Sequence, residues 1–301
     1  MSDLNGSIAI KQPGSGGRIF NNNILIGLIL IIFSIITFIP FYYAVMASFS
    51  EPKLVFEGQL ILYPRGFTIA AYRRILMNAR FMQSFRITIL RTLVGTAVNL
   101  TIQASMAYSL SRRYLPGRKF FMVFIIFSMM FNPGIIPTYL IVNATKLTDT
   151  FWAMIIPCAI STWNIILLRN FFEAIPDSLE ESAKIDGAND LRILISIVLP
   201  LSLPSLATIG LFAAVMHWNS FMDAVIYITK TELQVLQVFL RDMLIQLQSA
   251  YMFGDPLTLT DVSSLSLRTA SVVVSTIPII AVYPFIQRHF VHGIMVGAVK
   301  G

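Results

Sequence analysis

Charge is scarce in this sequence. Of 301 residues, 12% are Asp, Glu, Lys or Arg, against roughly 25% in soluble domains. That is too little to solvate the surface of a 33.7 kDa globule, so a water-soluble domain is excluded, and disordered, collagenous and nucleic-acid-binding chains with it. Cysteine occurs once, at Cys158 inside an apolar run, so no disulfide can form within the chain and the residue reads as packing. The three histidines, His217, His289 and His292, do not supply the HExxH constellation of a metalloprotease, and no metal site is expected. A Gly-x-Ser-x-Gly elbow is missing, which removes a serine hydrolase. So is the phosphate-cradling Gly-x4-Gly-Lys-Ser/Thr loop, because Gly14-Ser15-Gly16-Gly17 has no following lysine. No nucleotide-hydrolysing site of that kind is expected on this chain.

What is present is apolar length. Hydrophobic residues make up 56% of the chain and the mean hydropathy is +0.74. The formal net charge is +7, with the cations placed beside apolar runs, as in membrane proteins. A polar start, Met1 to Asn23, carries Lys11, Arg18 and the flexible Pro13 to Gly17. The uncharged run Ile24 to Ser50 outlasts the roughly 7–15 residues of a signal-peptide core, so despite Val45-Met46-Ala47 it reads as a retained span. Further spans run from Ile87 to Leu110, Phe120 to Val142, Phe151 to Phe172, Leu201 to Trp218 and Ala270 to Phe290, each near the roughly 20 residues that cross the hydrocarbon core.

Six spans place both termini on one side. The cluster Arg112, Arg113, Arg118 and Lys119 around Pro116-Gly117 marks that side as cytoplasmic, as do Arg288 and Lys300 near the end. Against it stand Lys53, Arg65, Arg73, Arg74 and Arg80 in the first outside loop, offset by Glu51 and Glu57. In that loop Thr68 can cap a short helix, Ile69 to Met77, which either rests on the membrane surface or simply connects. Prolines interrupt several spans: Pro133 and Pro137, Pro157, Pro204, Pro278 and Pro284. Each frees a carbonyl that lipid cannot satisfy. Such breaks line pathways or hinges, or reflect only the greater frequency of proline in membrane helices.

The most informative polar interruption, between the fourth and fifth spans, is Arg169 to Leu199. Asp177 is placed as an N-cap and Glu180 can close a capping box, which predicts a short helix from Ser178 to about Ile185. Gly187 ends it, and Asn189 or Asp190 can cap the next helix. Two short helices at an angle form either a knob for a groove on another protein or a solvated amphipathic connector.

Glu181-Ser182-Ala183, then Gly187, then Ile197-Val198-Leu199-Pro200, resemble the EAA loop of ABC importer permeases, with Ser182 in place of the first alanine. The resemblance spans nearly all of the chain beyond the N-terminal tail. Supporting pieces are Phe67 to Tyr72, Ile136-Pro137-Thr138-Tyr139, Leu147-Thr148-Asp149-Thr150, Trp218-Asn219-Ser220-Phe221, and the ending Gln287 to Gly301 with its Tyr283-Pro284-Phe285 lead-in. These are similar to MalG-like carbohydrate permeases, above all to the LplC-type permeases of Gram-positive oligosaccharide importers.

The resemblance implies an all-α polytopic membrane protein with the type I importer permease fold, six transmembrane helices and both termini cytoplasmic. Its parts would be a tail (1–23), the permease domain (24–290) with the coupling loop (173–200), and a second tail (291–301). It implies a multi-pass protein of a bacterial cell membrane, in contact with lipid and with no nucleic acid partner. The protein partners would be a MalF-like permease, two ATPase subunits and an extracellular sugar-binding lipoprotein. No cofactor is expected on this chain; ATP and Mg belong to the ATPase subunits. The coupling residues implied are Leu179, Glu180, Glu181, Ser182, Ala183, Ile185, Asp186, Gly187, Ala188 and Pro200, with Val299, Lys300 and Gly301 as a second ATPase contact or a frayed end.

Sugars are held by aromatic faces and amides, so Trp163-Asn164, Trp218-Asn219, Tyr139 and Asn132 are candidates for the solute path or for ordinary helix packing. His217 reads as a local hydrogen-bonding residue rather than a proton relay. The stretch Thr231 to Ser264, with Gly254-Asp255-Pro256, resembles the MalG loop that reaches toward the binding protein, or is a passive loop. The alternatives are an ABC permease for a non-sugar solute and a secondary transporter, which would show internal repeats and ionisable residues at the midplane.

Overall fold

The structure, a computed structural model, describes residues 16–56, 62–131, 133–253 and 263–298. Among them every regular element is helical. Helix α1, Gly16–Ser48, begins eight residues ahead of the apolar run and continues through Pro40. Its stretch Ile24–Ser48 has a mean hydropathy of 2.9 and none of its most apolar window is buried, as expected of a span whose whole circumference meets lipid. After α2 (Pro52–Phe56), Thr68 accepts from the Ala70 amide at 3.2 Å at the start of α3, Ala70–Leu76. Part of the apolar side of α3 faces the protein. Its Ala71 and Ile75 pack with Trp218, Leu236 and Ala270.

Helix α4, Ala79–Ser111, starts well before Ile87 because the Asn78 side chain accepts from the Phe81 amide at 3.0 Å. Its 33 residues reach about 50 Å at 1.5 Å per residue, so it overshoots a bilayer core. The third and fourth apolar runs are broken. The third is split into α5 (Arg118–Met130) and α6 (Ile135–Ala144), with Gly134 at φ 80° between them. The fourth is two 3-10 turns, Phe151–Met154 and Ile156–Cys158, bent by 57° from α7, Thr162–Glu173. After α8 (Asp177–Ile185), α9 (Asp190–Ile193) runs through a π turn, Leu194–Val198, into α10 (Leu199–Leu201). That segment meets α11, Leu203–Asn219, at 86°. Pro204 does not interrupt α11; it lies in the first turn, where its missing N–H costs nothing.

Two of the described helices are long and apolar enough to cross a membrane, or up to five spans if each bent pair counts as one. Helix α12, Met222–Tyr227, follows. The stretch from Thr231 onward is largely helical: it holds a 3-10 turn, Thr231–Leu233, and the 18-residue α13, Leu236–Phe253. Gly254-Asp255-Pro256 lie outside the described residues. Helix α14, Ser263–Ala298, contains Pro278 and Pro284 without ending at either, and packs against α1, α3, α11 and α13.

The core sits where α4 crosses α7 and α11. Ala104 and Ala107 of α4 meet Ile165, Leu168 and Phe172 of α7, Ile193 and Val198 of the α9 segment, and Ile209 of α11. Small residues on α4 let the helices approach closely, the usual device in membranes, where burial alone does not drive association. Gly95 is the extreme case. A Cβ there would stand 2.5 Å from the His217 Nε2, so only glycine leaves room for the ring.

Candidate functional site

The short-helix knob expected from the sequence exists, but its first turn is built differently. The residue preceding α8 is Pro176, no side chain caps the helix, and Asp177 is its first residue rather than its cap. Glu180 does not close a capping box. It is 6% exposed and its carboxylate pairs with Arg112 at the end of α4, whose guanidinium lies 4.4 Å from the Tyr108 ring centroid. A charge pair shielded from water outweighs a solvent-exposed capping bond. Asp177 and Glu180 near the start and Lys184 near the end still match the helix dipole.

The far end follows the sequence reading. Gly187 has φ 80°, its amide donates to the Lys184 carbonyl at 3.0 Å, and the Ala188 amide donates to Ala183 at 2.9 Å. This is the paired-bond glycine stop of an α-helix. Asn189, not Asp190, caps α9, accepting from the Arg192 amide at 2.9 Å. Asp190 instead accepts from the Tyr114 hydroxyl at 2.8 Å and lies 3.7 Å from Lys184, whose ammonium sits over the Tyr114 ring.

Two cations of the α4–α5 turn, Arg112 and Arg118, are therefore fasteners. Arg118 and Arg169 share Glu173, and both donate to the otherwise unpaired Leu110 carbonyl at the end of α4, at 2.8 and 3.3 Å. Between turn and knob lies a cavity of about 740 Å³ whose lining includes Arg112, Arg113, Lys184, Asp177 and Glu181. Outward from the knob point Leu179 (44% exposed), Ile185 (86%) and Leu191 (65%), together with exposed Glu181, Ser182 and Asp186. Ala183 and Ala188 are half-buried against the core, and Pro200 is exposed in α10.

The sequence reading passed over Arg91, although an arginine inside an apolar run is itself the signal. It is fully buried, pairs with Asp223, and donates to the carbonyls of Ser220 at 3.0 Å and Met154 at 3.3 Å. On the same helix Asn99 donates to the Cys158 carbonyl at 3.3 Å and Gln103 to Ala159 at 2.9 Å. The 3-10 turns of the fourth span leave these carbonyls without α-helical partners, and in lipid no water replaces them. Helix α4 supplies the donors. His217 is fully buried, its ring packed against the backbone of Gly95. On the loop side, Asp149 accepts from the Thr229 hydroxyl at 2.7 Å and amide at 2.6 Å and from the Lys230 amide at 3.2 Å. The Thr229 hydrogen bonds hold its carboxyl below the usual value.

The residues proposed to touch solute do not converge. Asn132 lies outside the described residues, as do Val299, Lys300 and Gly301. Tyr139 on α6 stacks with Tyr227 at 6.4 Å between centroids. Trp163 is 60% exposed, whereas Asn164 is buried. Trp218 and Asn219 do share a cavity, of about 390 Å³, lined also by Phe221, Gln237, Arg241, Ser275 and Thr276.

The family described as "Binding-protein-dependent transport system inner membrane component" matches residues 102–296. The polygalacturonan/rhamnogalacturonan transport system permease protein YtcP of Bacillus subtilis (strain 168) is 44% identical over 275 residues, covering 90% of this chain and 96% of that one. Protein LplC of the same organism is 41% identical over 266 residues, 88% of this chain and 90% of its own. Among solved structures, a chain of a bacterial ABC transporter involved in import of the acidic polysaccharide alginate superposes with a TM-score of 0.84 at 36% identity, covering 93% of this chain and 99% of that one. With the knob, the broken spans and these matches in agreement, the chain belongs to the binding-protein-dependent transport system inner membrane components, the permeases of ABC importers.

Proposed function

We propose that this chain is one transmembrane half of an ATP-driven importer in a bacterial cell membrane, receiving a sugar or oligosaccharide from an extracellular binding protein. A second, MalF-like permease completes the pathway. Two ATPase subunits on the cytoplasmic side carry the ATP and Mg. The observation that carries the reading is α8: a short helix with outward Leu179, Glu181 and Ile185, fastened to α4 through Glu180 and Arg112 and stopped by Gly187. A helix held at both ends transmits displacement instead of absorbing it. When the ATPase pair closes, α8 moves with it, and the core contacts of Ala183 and Ala188 carry that movement to α4, α7 and α11.

In this reading the chain crosses the membrane six times with both termini cytoplasmic: α1, α4, the α5–α6 pair, the 3-10 turns with α7, α11 and α14. Val299 to Gly301 reach toward the ATPase pair as a second contact. Support for a saccharide comes from relatives named for polygalacturonan/rhamnogalacturonan and alginate transport, and from the aromatic and amide lining around Trp218 and Asn219. The rival is a secondary transporter, favoured by the ionisable Arg91–Asp223 pair inside the bundle. Its arginine also donates to backbone carbonyls and its carboxylate accepts from the Ser220 hydroxyl and the Ala224 amide, which suits a fastener better than a proton carrier.

The test is cross-linking from Ile185→Cys in a Cys158→Ala background. The thiol is expected to link to a co-purified ATPase subunit. Purification with no ATPase partner, and solute uptake indifferent to ATP, would overturn the importer reading in favour of the secondary transporter. ATP-driven uptake confined to non-saccharide solutes would keep the permease and remove the sugar.

A further inference from the structure

The corner between α8 and α9 has no steric stop. It turns on Gly187, whose φ is 80° and where nothing lies within 4 Å of the position a Cβ would take. The hydrogen bonds from the Gly187 and Ala188 amides close the last turn of α8 and do not extend into α9. Ala183 and Ile193 give the two helices separate footholds on the core. Beyond those, the angle between α8 and α9 depends on side chains that bridge them.

Three residues meet there, each from a different segment. Lys184 in the last turn of α8 and Asp190 at the start of α9 stand 3.7 Å apart. Tyr114, in the turn between α4 and α5, reaches both: its hydroxyl donates to the Asp190 carboxylate at 2.8 Å, and its ring centroid lies 4.2 Å from the Lys184 ammonium. A tyrosine suits the task, because one rigid ring offers a face to a cation and a hydroxyl to an anion. Tyr114 is 57% exposed, and contacts of this surface kind add little stability singly. Their effect is geometric. One helical turn earlier on the same face of α8, Glu180 pairs with Arg112, two residues before Tyr114. Helix α8 is thus tied to the α4–α5 turn at two points, and the second tie includes α9.

We infer that Tyr114 is a positioning residue for energy coupling: with Lys184 and Asp190 it locks the α8–α9 corner to the α4–α5 turn. A displacement imposed on α8 then reaches α4 and, through α9, the π turn and α10, the start of α11 at the same time. The inference rests on the coupling role of α8 proposed above. With the tie cut, α8 swings about Gly187 while α9 stays behind, and the corner absorbs the motion that the spans should receive.

The experiment uses the complete transporter, with its ATPase subunits, in a Cys158→Ala background. Nitroxide labels on Ser178→Cys of α8 and Arg192→Cys of α9, both exposed positions, report the corner as a distance. It is measured by pulsed electron resonance without nucleotide and after trapping with ATP and vanadate. With Tyr114 in place that distance is expected to be the same in both states. In Tyr114→Ala it is expected to shift by several ångströms on trapping, and in Tyr114→Phe, which keeps the ring over Lys184, by less. A contact that only stabilises the fold would alter the distance equally in both states, and that result overturns the lock. So does a corner that shifts on trapping with Tyr114 in place, or one that stays fixed in assembled Tyr114→Ala. Co-purification of the ATPase subunits is the assembly control, and if Tyr114→Ala fails it, Tyr114→Phe decides by the same criteria. All of those outcomes leave the importer reading standing. A chain with Tyr114 intact that never co-purifies with an ATPase removes that reading, and the lock with it.

Discussion

Gly187 stands at φ 80°, and nothing lies within 4 Å of where a Cβ would be, so the demand for glycine there is conformational and not steric. Gly187→Val is expected to cost on the order of 1 kcal/mol or more of local strain and to tilt α8. Measured in membranes, transport should fall while protein abundance holds; normal transport would show that the knob tolerates another stop. Arg91 poses the opposite problem, a charge that must never lose its partner. Removing one side of a buried pair costs about 3–5 kcal/mol, whereas apolar replacement of both sides is often neutral. Arg91→Met and Asp223→Leu should therefore each lower the melting temperature in detergent sharply, and the double variant should recover part of the loss. Full recovery is not expected, because Arg91 also serves the Met154 and Ser220 carbonyls. Additive losses would show that the two side chains act independently.

Helix α8 has an inward and an outward acid one residue apart, and the resemblance could not tell them apart. Glu180 holds the helix to Arg112, while Glu181 is exposed. Glu180→Ala is expected to lower both thermal stability and transport, since it strands the buried Arg112 charge. Glu181→Ala should leave stability within about 0.5 kcal/mol, the usual range of a surface change, and lower only transport. Equal stability losses would mean that the helix is not clamped through position 180. The element-level boundaries of this segment were legible from Gly187 and Asn189, whose roles are local. The roles of Asp177 and Glu180 were not, because a residue 68 positions away along the chain, Arg112, competes for the Glu180 carboxylate.

Across the whole molecule, the orientation can be checked with the natural cysteine removed. In a Cys158→Ala background, Lys119→Cys and Gln59→Cys should label from opposite faces with an impermeant thiol reagent, Gln59→Cys from outside intact cells. Equal labelling of both in intact cells would reverse the topology and detach the knob from the ATPase side. The sequence by itself determined that this is a helical membrane chain, where its apolar runs lie, and which segment makes the knob. Those features follow from hydropathy, from glycine and capping chemistry, and from a contiguous motif, all of which depend on near neighbours. Only the tertiary structure decided how sharply the third and fourth apolar runs bend and that α4 supplies the donors for the broken fourth one. It also decided that Trp218 and Asn219 share a cavity with Arg241 while Tyr139 and Trp163 stand elsewhere. The reason is that an unpaired carbonyl or charge in a low-dielectric interior must find its partner in space, and the partner's position in the chain is set by how the helices pack.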